Sequence, residues 1–226
     1  MAPAAALLGD LQALLGALHA IEPAQDVRDY LLTDAALLHV LTDGQPGRDI
    51  DEKLIVIDDG SGSLDVALYL GGDVLERLCA RDPRQRLCGT NLGDFWTVVE
   101  GISHFNYLTW NAARDRPVTL LELEVQAEVD KYAATRALLG DQPGAGLGGA
   151  LLERLFGETR LADALTPEER QRYRDAAALA ARYCQRLEQR YATRGLPRGM
   201  LAELRTFFRL PQGAKVTRIR AAQLHA

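Results

Sequence analysis

The chain has 226 residues and a formal net charge of −5, with 47% hydrophobic and 25% charged residues. This is the composition of an ordinary globular protein, and a chain of this length can fold without metal ions or disulfide bonds as a scaffold. Its three cysteines lack the spacing of a zinc ribbon or a disulfide framework, so we expect reduced thiols and a cytoplasmic location. The longest segment without a charged residue, 101–113, is too short to span a bilayer, and we expect a soluble protein.

Leucines at helical spacing predict a first helix over residues 4–20, because they recur along one helical face. A short helix is predicted over residues 27–32. Another is predicted to follow Asp34, whose side chain is a suitable helix N-cap.

The strongest strand signal is the pair of apolar segments at residues 53–58 and 64–70. The first is rich in β-branched residues, and the second alternates between apolar and other residues. Between them, the Asp-Gly-Ser-Gly-Ser sequence at residues 59–63 tolerates the backbone of a tight turn. We therefore expect a β-hairpin at residues 53–70. It should rest on helices, because an isolated hairpin is marginally stable in water.

Two long helices joined by a short loop are predicted over residues 91–136. The first carries apolar residues on all sides, which is typical of a buried helix. The loop at residues 114–118 is short, so the two helices should lie antiparallel and in contact. The second begins with the capping-box sequence Thr119-Leu-Leu-Glu122. The sequence therefore predicts a mainly α-helical, bundle-like domain around a buried helical hairpin, with one β-hairpin as a minor component.

The charge balance changes along the chain. Residues 167–226 contain 13 basic and 5 acidic residues, so the remainder contains 13 basic and 26 acidic residues. The glycine-rich segment 140–149 is the best candidate for a boundary between these parts. We expect an acidic helical body over residues 1–140 and basic helices over residues 150–226, packed together as one globular unit.

A polar stripe interrupts the otherwise apolar helix at residues 92–113. Glu100 is the one charged residue after the first turn of this helix, and His104 follows one turn later on the same face. Glu128 of the second helix lies as many residues from the loop as His104 of the first. The two residues should therefore lie at a similar height along the helix axes. Carboxylates and an imidazole can hold Zn²⁺, Mn²⁺ or iron, or act as general acid and base. The candidate ligands of a divalent metal ion are Glu100, His104, Glu124 and Glu128. The alternative is a structural, buried ion pair.

Arginines recur at spacings of four or eight residues along the helix predicted to begin at Thr166. This stripe suits an anion or a nucleic acid, and its candidate ligands are Arg182, Arg186 and Arg190. The favoured alternative is that the arginines dock on the acidic helical hairpin of the same chain. Nucleic-acid binding is therefore a less favoured hypothesis.

The function hypothesis follows mainly from motifs that the sequence lacks. It contains no nucleophile elbow, no phosphate-binding loop, no complete metal motif and no cysteine dyad. This favours a non-enzymatic binding or adaptor protein that acts through protein–protein contacts. Two alternatives stay open: a metal-dependent or acid–base enzyme that uses the Glu/His cluster, and anion or nucleic-acid binding by the arginine stripe.

Overall fold

Helices make up most of the described chain, and a small three-stranded sheet accompanies them. The computed structural model describes residues 2–42, 50–58, 64–142, 151–157, 165–192 and 195–221. The helices are α1 (Ala2–His19), a 3-10 helix (Val27–Tyr30), α2 (Ala35–Leu41), α3 (Gly72–Ala80), α4 (Leu92–Ala112), α5 (Leu120–Asp141), α6 (Leu151–Phe156), α7 (Pro167–Arg190), α8 (Arg198–Arg209) and α9 (Gln212–Ala221). The strands are β1 (Leu31–Leu32), β2 (Glu52–Asp58) and β3 (Leu64–Leu70). This architecture confirms the prediction of a mainly α-helical fold with a small β component.

Some predicted features lie outside the described residues. They are the hairpin turn at residues 59–63 and residues 143–149 of the glycine-rich segment. Within the described ranges, no helix is both long enough and apolar enough to cross a membrane.

The helical hairpin is formed by α4 and α5. The indole nitrogen of Trp96 donates to Thr135 over 2.9 Å near the start of α4, and the hydroxyl of Tyr107 donates to Glu122 near its end. These pairs run in opposite directions along the two helices, so the helices are antiparallel. Thr119 caps α5 by accepting from the Glu122 amide. In a capping box, the Glu122 carboxylate would accept a hydrogen bond from the Thr119 amide. Here it instead lies buried beside Tyr107.

The sheet has the order β1-β3-β2, with β2 antiparallel and β1 parallel to β3. The prediction of a helix over residues 27–32 was therefore wrong in its last two residues. Leu31 and Leu32 pair with the edge of β3 that β2 leaves free, and the helical segment ends at Tyr30. This long-range pairing satisfies their backbone groups, and no local sequence pattern reveals it.

Gly101 of α4 lets the sheet approach the helix closely. Glu52 is the partner of Leu70 in the β2–β3 register, so both side chains lie on the face of the sheet towards α4. A Cβ atom at Gly101 would lie 2.9 Å from Leu68 Cδ1 and 3.0 Å from Glu52 Cγ. Because Gly101 has no side chain, β2 lies close enough for Glu52 to pack against α4.

The C-terminal helices share the hydrophobic core of the preceding chain. Helix α7 packs along α5 and presents small buried residues, among them Ala176 and Ala180. Helix α8 packs on α1, and Phe207 of α8 stacks on Tyr183 of α7 with 4.0 Å between ring centroids. This packing places the N-terminal part of α7 beside the helical hairpin.

Gly101→Val should lower the free energy of unfolding by roughly 1–3 kcal/mol, because the added methyl groups overpack Leu68 and Glu52. Denaturant unfolding measures this change. The matched control is Gly93→Val, because Gly93 lies on α4 with open space around its Cβ position; its effect should stay within about 0.5 kcal/mol. Equal losses for both variants would show that the sheet does not press on α4 at Gly101.

Candidate metal centre

His104 of α4 lies at the centre of a cluster of carboxylates. The residue is 8% exposed, and its Nδ1 atom lies 3.4 Å from Oε1 of Glu52 in β2. Its Nε2 atom lies 3.5 Å from Oε2 of Glu124 in α5, but this Nε2 atom is buried and makes no hydrogen bond. The imidazole is therefore held between two acidic side chains from different elements, with one ring nitrogen unpaired.

Three side chains of the cluster have the arrangement of metal ligands. Glu100, His104 and Glu124 each offer one ligand atom, and these atoms lie within 4.8 Å of one another. Two ligands of one ion with bonds of about 2.1 Å stand about 3.0–3.4 Å apart in octahedral or tetrahedral geometry. The 3.5 Å between His104 Nε2 and Glu124 Oε2 is close to that separation. His104 and Glu124 would thus need only small movements to share a divalent ion, and Glu100 offers a third ligand atom within 4.8 Å of theirs.

Lys131 separates Glu128 from these three side chains. Its ammonium lies 2.9 Å from Glu100 Oε2 and 2.7 Å from Glu128 Oε1. Although burial opposes ionisation of Glu100, Lys131 and His104 outweigh it and lower the pKa of this carboxyl.

The count of residues from the loop predicts that Glu128 lies opposite His104, whereas the structure places Glu124 beside it. Glu124 and Glu128 lie one turn apart on the same face of α5, so rotation does not distinguish them. The contacts Trp96–Thr135 and Tyr107–Glu122 set the register of the two helices, and in this register His104 lies between Glu124 and Glu128 in height.

Sequence reasoning missed two members of the cluster, Glu52 and Arg172. Glu52 is an acidic residue at the start of an apolar strand, on the same face as Leu54, and this alternation is the signal that could have identified it. Arg172 of α7 places its Nε atom 3.7 Å from Glu124 Oε1. That nitrogen is buried and makes no hydrogen bond. No short motif in the sequence links Arg172 to the helical hairpin.

The cluster holds more negative than positive charge. Four carboxylates, which belong to Glu52, Glu100, Glu124 and Glu128, face the two fixed cations of Lys131 and Arg172. With a neutral imidazole, a surplus of two negative charges remains. Buried charges cost free energy unless they are compensated, so this arrangement favours the uptake of protons or of a cation.

The directions of the pKa shifts show how bound protons would reduce this surplus of negative charge. Burial opposes protonation of His104, but the carboxylates of Glu124 and Glu52 outweigh it and raise the pKa of the imidazole well above its usual value. Burial also raises the pKa of Glu52 and that of Glu128, despite their neighbouring cationic groups. Any cation that binds here therefore competes with protons.

The predicted arginine stripe is partly engaged within the C-terminal helices. Arg182 is exposed, whereas Arg186 donates over 3.0 Å to the carbonyl of Arg218, and Arg190 forms an ion pair with Glu203. Arg172, which lies outside this set, reaches Glu124 of the acidic helical hairpin. Binding of an anion by Arg182, Arg186 and Arg190 stays a prediction.

A second polar cluster lies on the other side of the helical hairpin and is fully buried. The carboxylate of Asp130 contacts His19 at 2.7 Å and accepts from Ser103 at 2.6 Å and from Gln126 at 2.8 Å. Ser103 donates to Asp130 and not to His19, so the three residues do not form a nucleophilic relay. The cluster cross-links α1, α4 and α5.

Lys215 of α9 completes this second cluster. Its ammonium is buried, donates to Gln126, and lies 4.7 Å and 4.4 Å from the ring centroids of Tyr107 and Phe207. Burial lowers the pKa of Lys215 to about 7, although the charge of Glu122 opposes the shift. The folded protein therefore carries this lysine largely uncharged above that pH.

Comparisons with protein families, curated proteins and solved structures found no match. A function is therefore inferred from the chemistry of the side chains.

Lys215→Met should change how stability depends on pH. The unfolded chain keeps a lysine pKa of about 10.4, whereas the folded value is about 7, so unfolding takes up a proton between these limits. The contribution of Lys215 is fully present above the unfolded pKa and is lost as pH falls through the folded pKa. Denaturant unfolding from pH 6 to pH 10 should show the wild type losing stability relative to Lys215→Met as pH falls. Parallel curves for the two proteins would contradict the shifted pKa.

Proposed function

We propose that the chain is a metal-dependent enzyme that binds one divalent transition-metal ion through Glu100, His104 and Glu124. The observation that carries this proposal is the buried His104 Nε2 atom, which makes no hydrogen bond and lies 3.5 Å from Glu124 Oε2, in a group of three side chains whose ligand atoms lie within 4.8 Å of one another. An imidazole nitrogen and two carboxylate oxygens suit Zn²⁺, Mn²⁺ or Fe²⁺. This was one of the alternatives that the sequence left open.

The rival interpretation is a structural ion pair, and the same chain contains one for comparison. His19 and Asp130 close to 2.7 Å, as expected for a buried histidine and carboxylate that stabilise each other. The contacts of His104 with Glu52 and Glu124 stay at 3.4 Å and 3.5 Å. Since both histidines are buried, the longer distance between Nε2 of His104 and Glu124 favours a site that is preorganised for an ion.

Glu52 supports this proposal through its contact with Nδ1 of His104. A metal-bound histidine usually donates its other ring N–H to a carboxylate, which fixes the tautomer and the ring orientation. Glu52 lies on the Nδ1 side of His104, opposite the side that faces Glu124. The arrangement therefore has the order carboxylate, histidine, metal.

The number of ligands favours a catalytic ion over a structural one. Structural zinc sites use four protein ligands, whereas catalytic sites use three and keep a position for water or substrate. An ion held by three side chains lowers the pKa of a bound water and polarises a carbonyl or phosphoryl oxygen. We therefore propose hydrolytic or acid–base chemistry at an ion-bound oxygen. An adaptor function, a protein partner and a cytoplasmic location stay predictions from the sequence.

His104→Ala should abolish the proposed site. Calorimetric titration of the wild type with Mn²⁺ or Zn²⁺ should give one tight site per chain. The variant should bind at least roughly 100-fold more weakly, because a direct ligand contributes more than an outer-shell partner. The control is His39→Ala, which removes an exposed histidine from α2 and should bind like the wild type. Equal binding by wild type and His104→Ala, or none by the wild type, would refute the proposal.

Glu52→Gln should weaken metal binding by about 10–100-fold, the range for outer-shell partners of a histidine ligand. Competition with a chromophoric chelator measures the change. Glu76→Gln removes one carboxylate from the exposed face of α3 and should leave the affinity unchanged. If both variants bind equally well, Glu52 does not orient His104.

A further inference from the structure

Lys131 occupies a position in the cluster that resembles that of a metal ion. Its ammonium bridges one oxygen of Glu100 and one oxygen of Glu128, at 2.9 Å and 2.7 Å. The Lys131 side chain is 10% exposed, so its ammonium is largely shielded from water. Glu100 thereby belongs to two groups at once, the proposed ligand set with His104 and the ion pair with Lys131.

This sharing resembles the layout of a dinuclear centre. In two-metal sites the ions lie about 3.5–4 Å apart and carboxylates commonly serve both. Here Glu100 has the position of such a bridging carboxylate, and Glu128 lies on the far side of Lys131, where a second ion would find its own ligand. The four carboxylates would suffice for two ions if the ammonium were absent.

We propose that Lys131 takes the place of a second metal ion and makes the centre mononuclear. This inference rests on the proposed function, because it assumes an ion at Glu100, His104 and Glu124. Its support is the geometry of the ammonium and the charge of the cluster. One divalent ion together with Lys131 and Arg172 balances the four carboxylates, whereas a second divalent ion would leave two uncompensated positive charges.

The position of Lys131 restricts the chemistry of the site. A two-metal centre stabilises the attacking and the leaving oxygen of an in-line displacement with separate ions. With Lys131 in the second position, one metal ion acts beside a fixed ammonium. The ammonium stabilises negative charge on Glu100 and Glu128 but has no open coordination position for water. Only the ion at Glu100, His104 and Glu124 is then able to activate a water molecule.

The test counts Mn²⁺ ions per chain in the full-length protein by equilibrium dialysis and elemental analysis, with electron paramagnetic resonance as a second readout. Wild type should bind one Mn²⁺ and give the spectrum of an isolated ion. Lys131→Ala removes the ammonium and opens its space, so it should bind two Mn²⁺ with the spectrum of an exchange-coupled pair. Lys53→Ala, a lysine on the adjacent strand β2, is the matched control and should bind one.

Two Mn²⁺ ions in the wild type would overturn the inference, and this count does not depend on whether Lys131→Ala folds. One ion in all three proteins would also overturn it, while leaving the proposed mononuclear function intact. No Mn²⁺ in the wild type would remove the proposed function together with the inference. Lys131→Ala combined with Glu128→Gln should return to one ion, because the second position then loses an anionic ligand.

Discussion

The candidate site and its proposed function both depend on the free-energy cost of burying carboxylates. Four glutamates gather around His104 and Lys131, and with a neutral imidazole the cations of Lys131 and Arg172 leave two negative charges uncompensated. A protein that needed only stability would be served as well by apolar residues at these positions, since a buried ionic cluster is weak evidence for stability. A divalent cation would balance the surplus, and the Nε2 atom of His104, which makes no hydrogen bond, would supply a ligand that a purely acidic cluster lacks.

The fold assembles this cluster from segments that are far apart in the sequence. The hairpin of α4 and α5 supplies the imidazole and three carboxylates, and its antiparallel pairing brings Glu124 opposite His104. The small sheet supplies Glu52, which reaches the helix because Gly101 has no side chain to hold the strand away. Helix α7 adds Arg172 from the C-terminal part of the chain. Each contribution depends on a packing contact, so the geometry of the cluster is coupled to the hydrophobic core around it.

The sequence was sufficient to predict the features that depend on residues close together in the chain. The helical hairpin was predictable because its apolar residues, cap and short loop lie within one continuous stretch. Glu100 and His104 were recognisable because two polar residues one turn apart are conspicuous in an apolar helix. Glu52 was missed because its position depends on strand register, and Arg172 because it depends on how α7 packs. The sequence could not resolve whether Glu124 or Glu128 neighbours His104, because it does not locate the helix ends closely enough to set the register of the two helices.

The two buried histidines show why burial alone does not define a functional site. His19 pairs closely with Asp130 in a network that also holds Ser103 and Gln126, and it stacks on Phe208 with 4.2 Å between ring centroids. These contacts hold the ring of His19 in place within the core. His104 is also buried, yet its Nε2 atom lies 3.5 Å from Glu124, close to the separation of two ligands of one metal ion. The contrast between short and long distances supports a structural role for the first cluster and the proposed binding role for the second.

The most direct measurement is a crystal structure of the protein grown with Mn²⁺, with an anomalous difference map recorded near the manganese absorption edge. The account predicts one strong peak within about 2.0–2.4 Å of Nε2 of His104 and of one oxygen each from Glu100 and Glu124. A map without a peak there, with Nε2 of His104 closed onto Glu124 at hydrogen-bond distance, would contradict it.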